Sequence, residues 1–217
     1  MFKYLIVIVM LLVTSNTQAA LISLQSLSIN NTFDAANGFK AYWQNQTFNA
    51  SQPIYYENIN FENIKTGGYS LNLLSISFEL PLPITFSILA GLDAHHGADI
   101  YVNDTMTYSN NDDLWWSKKW PHKDVVELEQ IPLLAGLNSI DIFWAESCCN
   151  GPNSVMFSVD NALPIFLSGT ALQSEIPQVS APNNLTLFAL GLCLLIWFSR
   201  KPLKNEETKT KHEHKAT

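Results

Sequence analysis

From residue 20 to residue 175 no window of roughly 11–18 residues holds a helical period, yet apolar and polar side chains alternate repeatedly over shorter runs. Residues 71–80 read LNLLSISFEL, with Ile76 and Phe78 on one face, and residues 139–144 read SIDIFW, with Ile140, Ile142 and Trp144 together. ITFSIL (84–89), DIYVNDTM (99–106), VVELEQI (125–131) and VMFSV (155–159) share this character; residues 21–29 and 54–61 are weaker versions. A side-chain period of two marks a strand with one buried face. The breaks carry turn chemistry: Gly67-Gly68, Pro81 with Pro83, and Gly136-Leu137-Asn138. Proline cannot donate to a ladder, and Gly and Asn accept left-handed backbone. Short strands, frequent turns and no internal repeat specify an all-β fold, an antiparallel β-sandwich or jelly roll.

The two ends differ in kind from this middle. Residues 1–19 place Lys3 before an apolar run, and Thr17-Gln18-Ala19 fits a small-x-small cleavage site. This is the order of a secretory signal peptide, removed by signal peptidase, with an uncleaved N-terminal anchor as the alternative. Residues 185–198 read LTLFALGLCLLIWF without a charge, and Arg200, Lys201 and Lys204 follow. An apolar run closed by basic residues reads as a transmembrane helix over 185–199 whose basic side stays in the cytoplasm. The run is short against the roughly 17–25 residues of a full span, and Trp197 and the Lys stems would extend it into the interface. The organisation expected is therefore a β-sandwich over 20–170, a Ser-, Gln- and Pro-bearing linker over 171–184, the helix, and a polar tail over 200–217.

Charge narrows the partners. Residues 20–175 hold sixteen Asp or Glu against five Lys and no Arg. So acidic a surface excludes nucleic acid and offers many ligands for a hard cation. Asp93, Asp99, Asp104, Asp112 and Asp113 fall close together, and calcium takes six to eight such oxygens, so these five are the candidate calcium ligands against a simply solvated acidic loop. In the same region DDLWWSKKWPH places Trp115, Trp116 and Trp120 as candidate ligand-binding platforms, since indole faces stack on sugar rings, though one of the adjacent pair is expected in the core. No nucleophile elbow, H-E-x-x-H or P-loop is present. Among the acids only Glu146, beside the cysteines, merits testing as catalytic, and no catalytic set is assigned. An exported hydrolase or a metal or redox protein stays as the alternative to a binding role.

The cysteines are Cys148, Cys149 and Cys193. Cys193 lies in the apolar run, so within one exported molecule Cys148 and Cys149 have only each other, in a compartment where thiols pair. Neighbouring Cα atoms lie about 3.8 Å apart across a trans peptide, below the roughly 4.4–6.8 Å usual for disulfides. Asn150-Gly151-Pro152 supplies a sharp turn that tolerates the distortion. The vicinal disulfide is the reading adopted. Intermolecular disulfides, and a metal or redox site with His95-His96, stay open, although Cys-Cys is a poor zinc or thioredoxin spacing.

Three resemblances follow from these residues. VSAPNNLTLFALGLCLLIWFSRK resembles a PEP-CTERM sorting signal, a proline motif followed by an apolar helix and a basic cluster. Here the motif is Val179-Ser180-Ala181-Pro182, with Ala181 in place of the usual Glu, and Arg200 and Lys201 open the cluster. The resemblance implies recognition by an exosortase, cleavage near the motif, and export to the cell surface or the exopolysaccharide matrix. Such signals end soon after the basic cluster, whereas this chain runs on to Thr217, which keeps an ordinary single-pass anchor open. GADIYVND, LLAGLNSIDIFWAE and VMFSVD are similar to the protective-antigen-type β-sandwich and its fibro-slime relatives, many of which bind carbohydrate, some through calcium. Cys148-Cys149-Asn150-Gly151 with the sorting tail resembles the CCXG family of PEP-CTERM proteins, which implies a surface or matrix protein and no known activity. The implied partner is an extracellular polysaccharide.

Overall fold

The computed structural model describes residues 20–30, 33–34, 38–177 and 190–195. The expected signal peptide over 1–19, the expected sorting motif Val179–Pro182 with Arg200 and Lys201, and the polar tail lie outside them. Residues 190–195, which belong to a separate unit, are helical. They are the only part of the expected span that is described, and among the described residues no helix is long and apolar enough to cross a membrane.

The main unit is an antiparallel β-sandwich. Twelve strands are described: β1 Leu21–Ser28, β2 Ile54–Tyr55, β3 Ser70–Leu80, β4 Ile84–Gly91, β5 Asp93–Ala94, β6 Ala98–Val102, β7 Thr105–Asn110, β8 Leu114–Trp115, β9 Val125–Leu133, β10 Gly136–Glu146, β11 Ser154–Val159 and β12 Ile165–Phe166. One sheet runs β2-β1-β3-β10-β6-β7, a second β12-β11-β4-β9, and a small ladder joins β5 to β8. Alternation builds the core between the large sheets. Leu74, Ile76, Phe78 and Leu80 of β3 and Ile140, Ile142 and Trp144 of β10 meet Phe86, Ile88 and Ala90 of β4 and Val155, Phe157 and Val159 of β11. Phe86 lies between Phe78 and Phe157, each ring centroid 5.6 Å away.

Part of the other face of the six-stranded sheet is buried too, which single-face alternation does not anticipate. Leu71 of β3 and Phe143 and Ala145 of β10 are covered by helix α1, Phe39–Gln46, through Phe39 and Trp43. At eight residues α1 is shorter than the windows in which a helical period can be recognised. A second helix, α2 Gly169–Glu175, occupies the start of the expected linker. Ser168 caps it by accepting from the Ala171 N–H, and Leu172 and Ile176 are buried in the main core, so the folded unit extends past residue 170.

One expected strand divides. Residues 99–106 form two strands joined at Asn103-Asp104, both left-handed with φ 47° and 64°, and Val102 pairs with Thr105. Two left-handed residues between paired strands make the tight hairpin that Asn-rich dipeptides favour. Pro132 sits in β9, at the edge of its sheet, where a missing donor costs no ladder bond.

The three-ring stack is the test of this core. Phe86→Ala is expected to lower unfolding stability by about 3–5 kcal/mol in urea titrations, from lost burial plus an unfilled cavity. A loss below about 1 kcal/mol would contradict the packing described.

Candidate functional site

β3 begins and β10 ends at the same level, Ser70 opposite Glu146, and β4 ends where β11 begins, Gly91 opposite Ser154. The loop of residues 147–153 therefore closes one end of the sandwich. Cys148 and Cys149 are joined by a disulfide with their Cα atoms 3.7 Å apart, no described peptide bond is cis, and both residues are exposed. The sulfur ring is thus presented to solvent.

The loop under that ring is held from every side. Glu146, 3 % exposed, accepts from the Ser147 and Cys148 N–H groups through Oε1 at 2.8 Å each, and from the His95 N–H through Oε2 at 3.3 Å. Asn150 takes a left-handed φ of 44° and its Oδ1 accepts from the Gly67 N–H at 3.0 Å. The Gly151 N–H donates to Asp93 Oδ2. Buried Asn153 accepts from the Asp93 N–H at 2.9 Å and exchanges backbone bonds with Ile64. Gly68 backs the ring so closely that a Cβ there would collide with the Cys148 carbonyl. Glu146 thus serves as a cap on backbone donors, and its carboxylate is engaged by three of them, which leaves it poorly placed as the catalytic acid considered from sequence.

The three tryptophans separate. Trp116 is 3 % exposed, lies flat on Gly91 where a Cβ would strike its ring, and donates from Nε1 to the Pro152 carbonyl at 2.9 Å. It braces the loop, and its burial removes it from the ligand-facing set. Trp120, half-buried, leans on Trp116 with centroids 4.8 Å apart and on Phe166 at 6.1 Å. Trp115 is 60 % exposed, directly opposite Asp93 in the β5–β8 ladder. Opposed residues hold their Cβ atoms about 4.5–5.5 Å apart, so an open indole stands beside the carboxylate that holds Gly151.

The five aspartates do not converge. Asp93 lies under the disulfide loop. Asp99 is buried on β6, where Oδ2 accepts from the Phe39 N–H at 3.3 Å at the start of α1 and Oδ1 has no partner. Asp104 sits at the β6–β7 hairpin tip, paired with Lys40 at 2.8 Å. Asp112 and Asp113 are exposed in the next loop. Asp99 and Asp104 are separated by the hairpin that splits the expected strand. Among the described residues no group of three or more His, Cys, Asp or Glu side chains is arranged to hold a metal ion. Nor do His95 and His96 form one with the cysteines; their rings meet each other at 5.1 Å, and His96 abuts Phe33.

Electrostatics set Asp93 apart. Burial raises its pKa and the charges of Glu146 and Asp113 raise it further, against the lowering effect of the Gly151 N–H. His96 is lowered, chiefly by burial and then by His95, with Glu146 opposing. Sequence reasoning missed Asn153, which carries no chemical motif, and read Gly68 only as part of a turn; Gly-Pro-Asn after the cysteines was the available signal.

A carboxyl whose pKa is raised by folding stabilises the fold below its unfolded value and loses that contribution as pH rises through the folded value. Ionised Asp93 therefore opposes folding near neutrality. Asp93→Asn keeps an acceptor for Gly151 and removes the charge. It is expected to raise Tm at pH 7 by about 1–3 °C, with the gap closing as pH falls toward the ordinary Asp value of about 3.9. A gap that widens in acid would contradict the assignment.

No protein-family model matches the chain, and no curated protein does. Among solved structures it is similar to a PA14 sugar-binding domain from an RTX adhesin, at 10 % identity over 70 % of this chain and 96 % of that one, TM-score 0.45. It is also similar to the PA14 domain of the MpAFP antifreeze protein, at 11 % identity over 72 % of this chain and 93 % of that one, TM-score 0.41. The Epithelial Adhesin 6 A domain from Candida glabrata, in complex with Galb1-3GlcNAc, matches at 13 % identity over 79 % and 96 %, TM-score 0.41. All three are loose likenesses.

Proposed function

We propose that this protein is an exported, non-catalytic β-sandwich that binds carbohydrate at the disulfide end of the domain. The observation that carries the reading is Trp115, a 60 % exposed indole fixed by a ladder beside Asp93 and the braced Cys148–Cys149 loop. A flat apolar face stacks on a sugar ring, and adjacent carboxylates accept from its hydroxyls. Asp93 and Asp113 supply those acceptors, and the exposed disulfide supplies a second apolar wall. Preorganisation supports binding, because a loop already held by Glu146, Asp93 and Trp116 loses little freedom when a ligand arrives. Calcium takes no assigned role in this reading.

The resemblance of the sequence to CCXG-type PEP-CTERM proteins supplies the setting: signal peptidase removes residues 1–19, the apolar run holds the precursor in the inner membrane, and an exosortase acts near Val179–Pro182. The domain then resides at the cell surface or in the exopolysaccharide matrix.

The protein as exported by its host is expected to bind the host's extracted exopolysaccharide saturably and without releasing reducing sugar. Trp115→Ala is expected to weaken binding about tenfold at unchanged Tm, whereas Trp116→Ala unfolds the loop. Equal affinity in wild type and Trp115→Ala would overturn the assignment of the face. For sorting, the mature protein's mass is expected to lack the residues beyond the motif, and Pro182→Ala to retain them; a full-length mature chain contradicts exosortase processing and leaves the single-pass anchor.

A further inference from the structure

We propose that the outer face of the four-stranded sheet carries a separate groove for one neutral sugar unit, lined by Ser87, Gln130, Ser158 and Asn161. Phe86, Ile88 and Ala90 of β4 and Val155, Phe157 and Val159 of β11 belong to the core. Ser87 and Ser158, which pair with each other, therefore stand on the opposite face. The groove over them holds about 220 Å³. Drug-sized ligands occupy about 300–1,000 Å³, so this one suits a single ring. Ser158 lies four residues along β11 from Ser154, which is about 13 Å from the disulfide end. The groove is thus distinct from the Trp115 face, and its assignment does not rest on that face.

A buried hydroxyl carries the inference. Ser158 is 8 % exposed, and among the described residues its hydroxyl has no hydrogen-bond partner. A buried polar group without a partner is unfavourable, and nearly all such groups bond to protein, water or ligand. This one lines the groove, where a ligand hydroxyl would complete it.

Its neighbours are fixed in advance. Phe86 pairs with Ile131 and Ile88 with Leu128, so Glu129 and Gln130 together oppose Ser87 in a β-bulge. Gln130 takes a left-handed φ of 56°, and its N–H donates to Ser87 Oγ at 3.1 Å. Its side-chain amide donates to Asn161 Oδ1 in the β11–β12 connection. That connection is tied to β4, because Asp160 Oδ1 accepts from the Thr85 N–H at 2.8 Å. Groups already held in place lose little freedom when a ligand arrives.

The chemistry of the lining selects the occupant. The Gln130–Asn161 bond leaves Gln130 Oε1 as an acceptor and Asn161 Nδ2 as a donor, and reversing both amides also leaves one of each. A sugar hydroxyl donates and accepts at once, whereas an ammonium only donates. Glu127 and Glu129 line the same groove and no lining residue is Lys or Arg, so phosphates and uronic acids are repelled. Leu89 and Pro164 supply apolar contact for the C–H face of a ring. An added peptide strand fits poorly: β9 is a sheet edge, but its bulge and Pro132 interrupt the ladder such a strand would need.

The test titrates methyl glucoside, methyl galactoside and methyl mannoside into the isotope-labelled full chain in zwitterionic micelles. The side-chain amide signals of Gln130 and Asn161, and the backbone amides from Ser158 to Ala162, are expected to shift saturably with at least one of them. Ser158→Ala is expected to weaken that binding about fivefold with Tm equal or raised, since the lost hydroxyl had no partner in the fold. Asn161→Gly, which keeps the left-handed backbone and removes the amide, is expected to weaken it similarly. Trp115→Ala is expected to leave it unchanged. No shift with any of the three glycosides overturns the inference, as does a lowered Tm with unchanged affinity in Ser158→Ala. Shifts confined to the Trp115 end and lost in Trp115→Ala overturn this groove and uphold the first face alone. Methyl glucuronide binding as well as the neutral glycosides, or an alternating Thr-Val peptide shifting these signals in their place, overturns the assignment to a neutral sugar.

Discussion

The pairing of β10 with β3 over eleven residues, Gly136 to Glu146 against Leu80 to Ser70, is the constraint on which the rest of the domain depends. β10 is buried on both faces, through Ile140, Ile142 and Trp144 toward the second sheet and through Phe143 and Ala145 toward α1. A one-residue slip would exchange those two sets, setting Trp144 against the helix and Phe143 against the inter-sheet core. The register therefore cannot drift. Fixing it also fixes the level at which Glu146 leaves the sheet, and with it the height of every residue in the disulfide loop.

A buried carboxylate is unfavourable unless its oxygens are engaged, and Glu146 is engaged by backbone donors from its own loop and from His95. The same carboxylate that needs the donors gathers two loops together. Asp93 repeats the device from the neighbouring loop through Gly151, and Trp116 closes it from above through Pro152. Burial raises the Asp93 pKa by desolvating its carboxylate, and repulsion from Glu146 beside it raises it further. Some stability is given up for a rigid, acidic, sulfur-capped surface. An apolar loop would have closed the sandwich without that charge repulsion.

The sandwich was legible because its strands alternate: Ile76 with Phe78 and Ile140 with Ile142 and Trp144 share faces in the structure as their spacing indicates. The second buried face was not legible, because Leu71 and Phe143 are interleaved with the inner set and look like noise in a period of two. The eight-residue α1 that covers them is too short to register its own period. The cysteine pair was legible as one reading among three, from the place of Cys193 in the apolar run and the turn after Cys149, and the structure joins Cys148 to Cys149. The aspartate grouping misled for a physical reason: proximity in sequence means little across the Asn103-Asp104 hairpin, which turns Asp104 toward Lys40 while Asp99 points beneath α1. Tryptophan identity likewise says nothing of exposure. Only the β5–β8 ladder, two residues per strand, decides that Trp115 is open and Trp116 is core.

The two ends of the sandwich are chemically opposite, and strand direction makes them so. In an antiparallel sheet every turn lies at one end or the other, so two surfaces can be composed independently while sharing one core. Here one end gathers Asp93, Asp113, Glu146 and the sulfur ring, and the other gathers leucines with almost no charge. Neither set contributes to the packing of Phe78, Phe86 and Phe157 between them. A domain that needed only solubility would have polar residues at both ends.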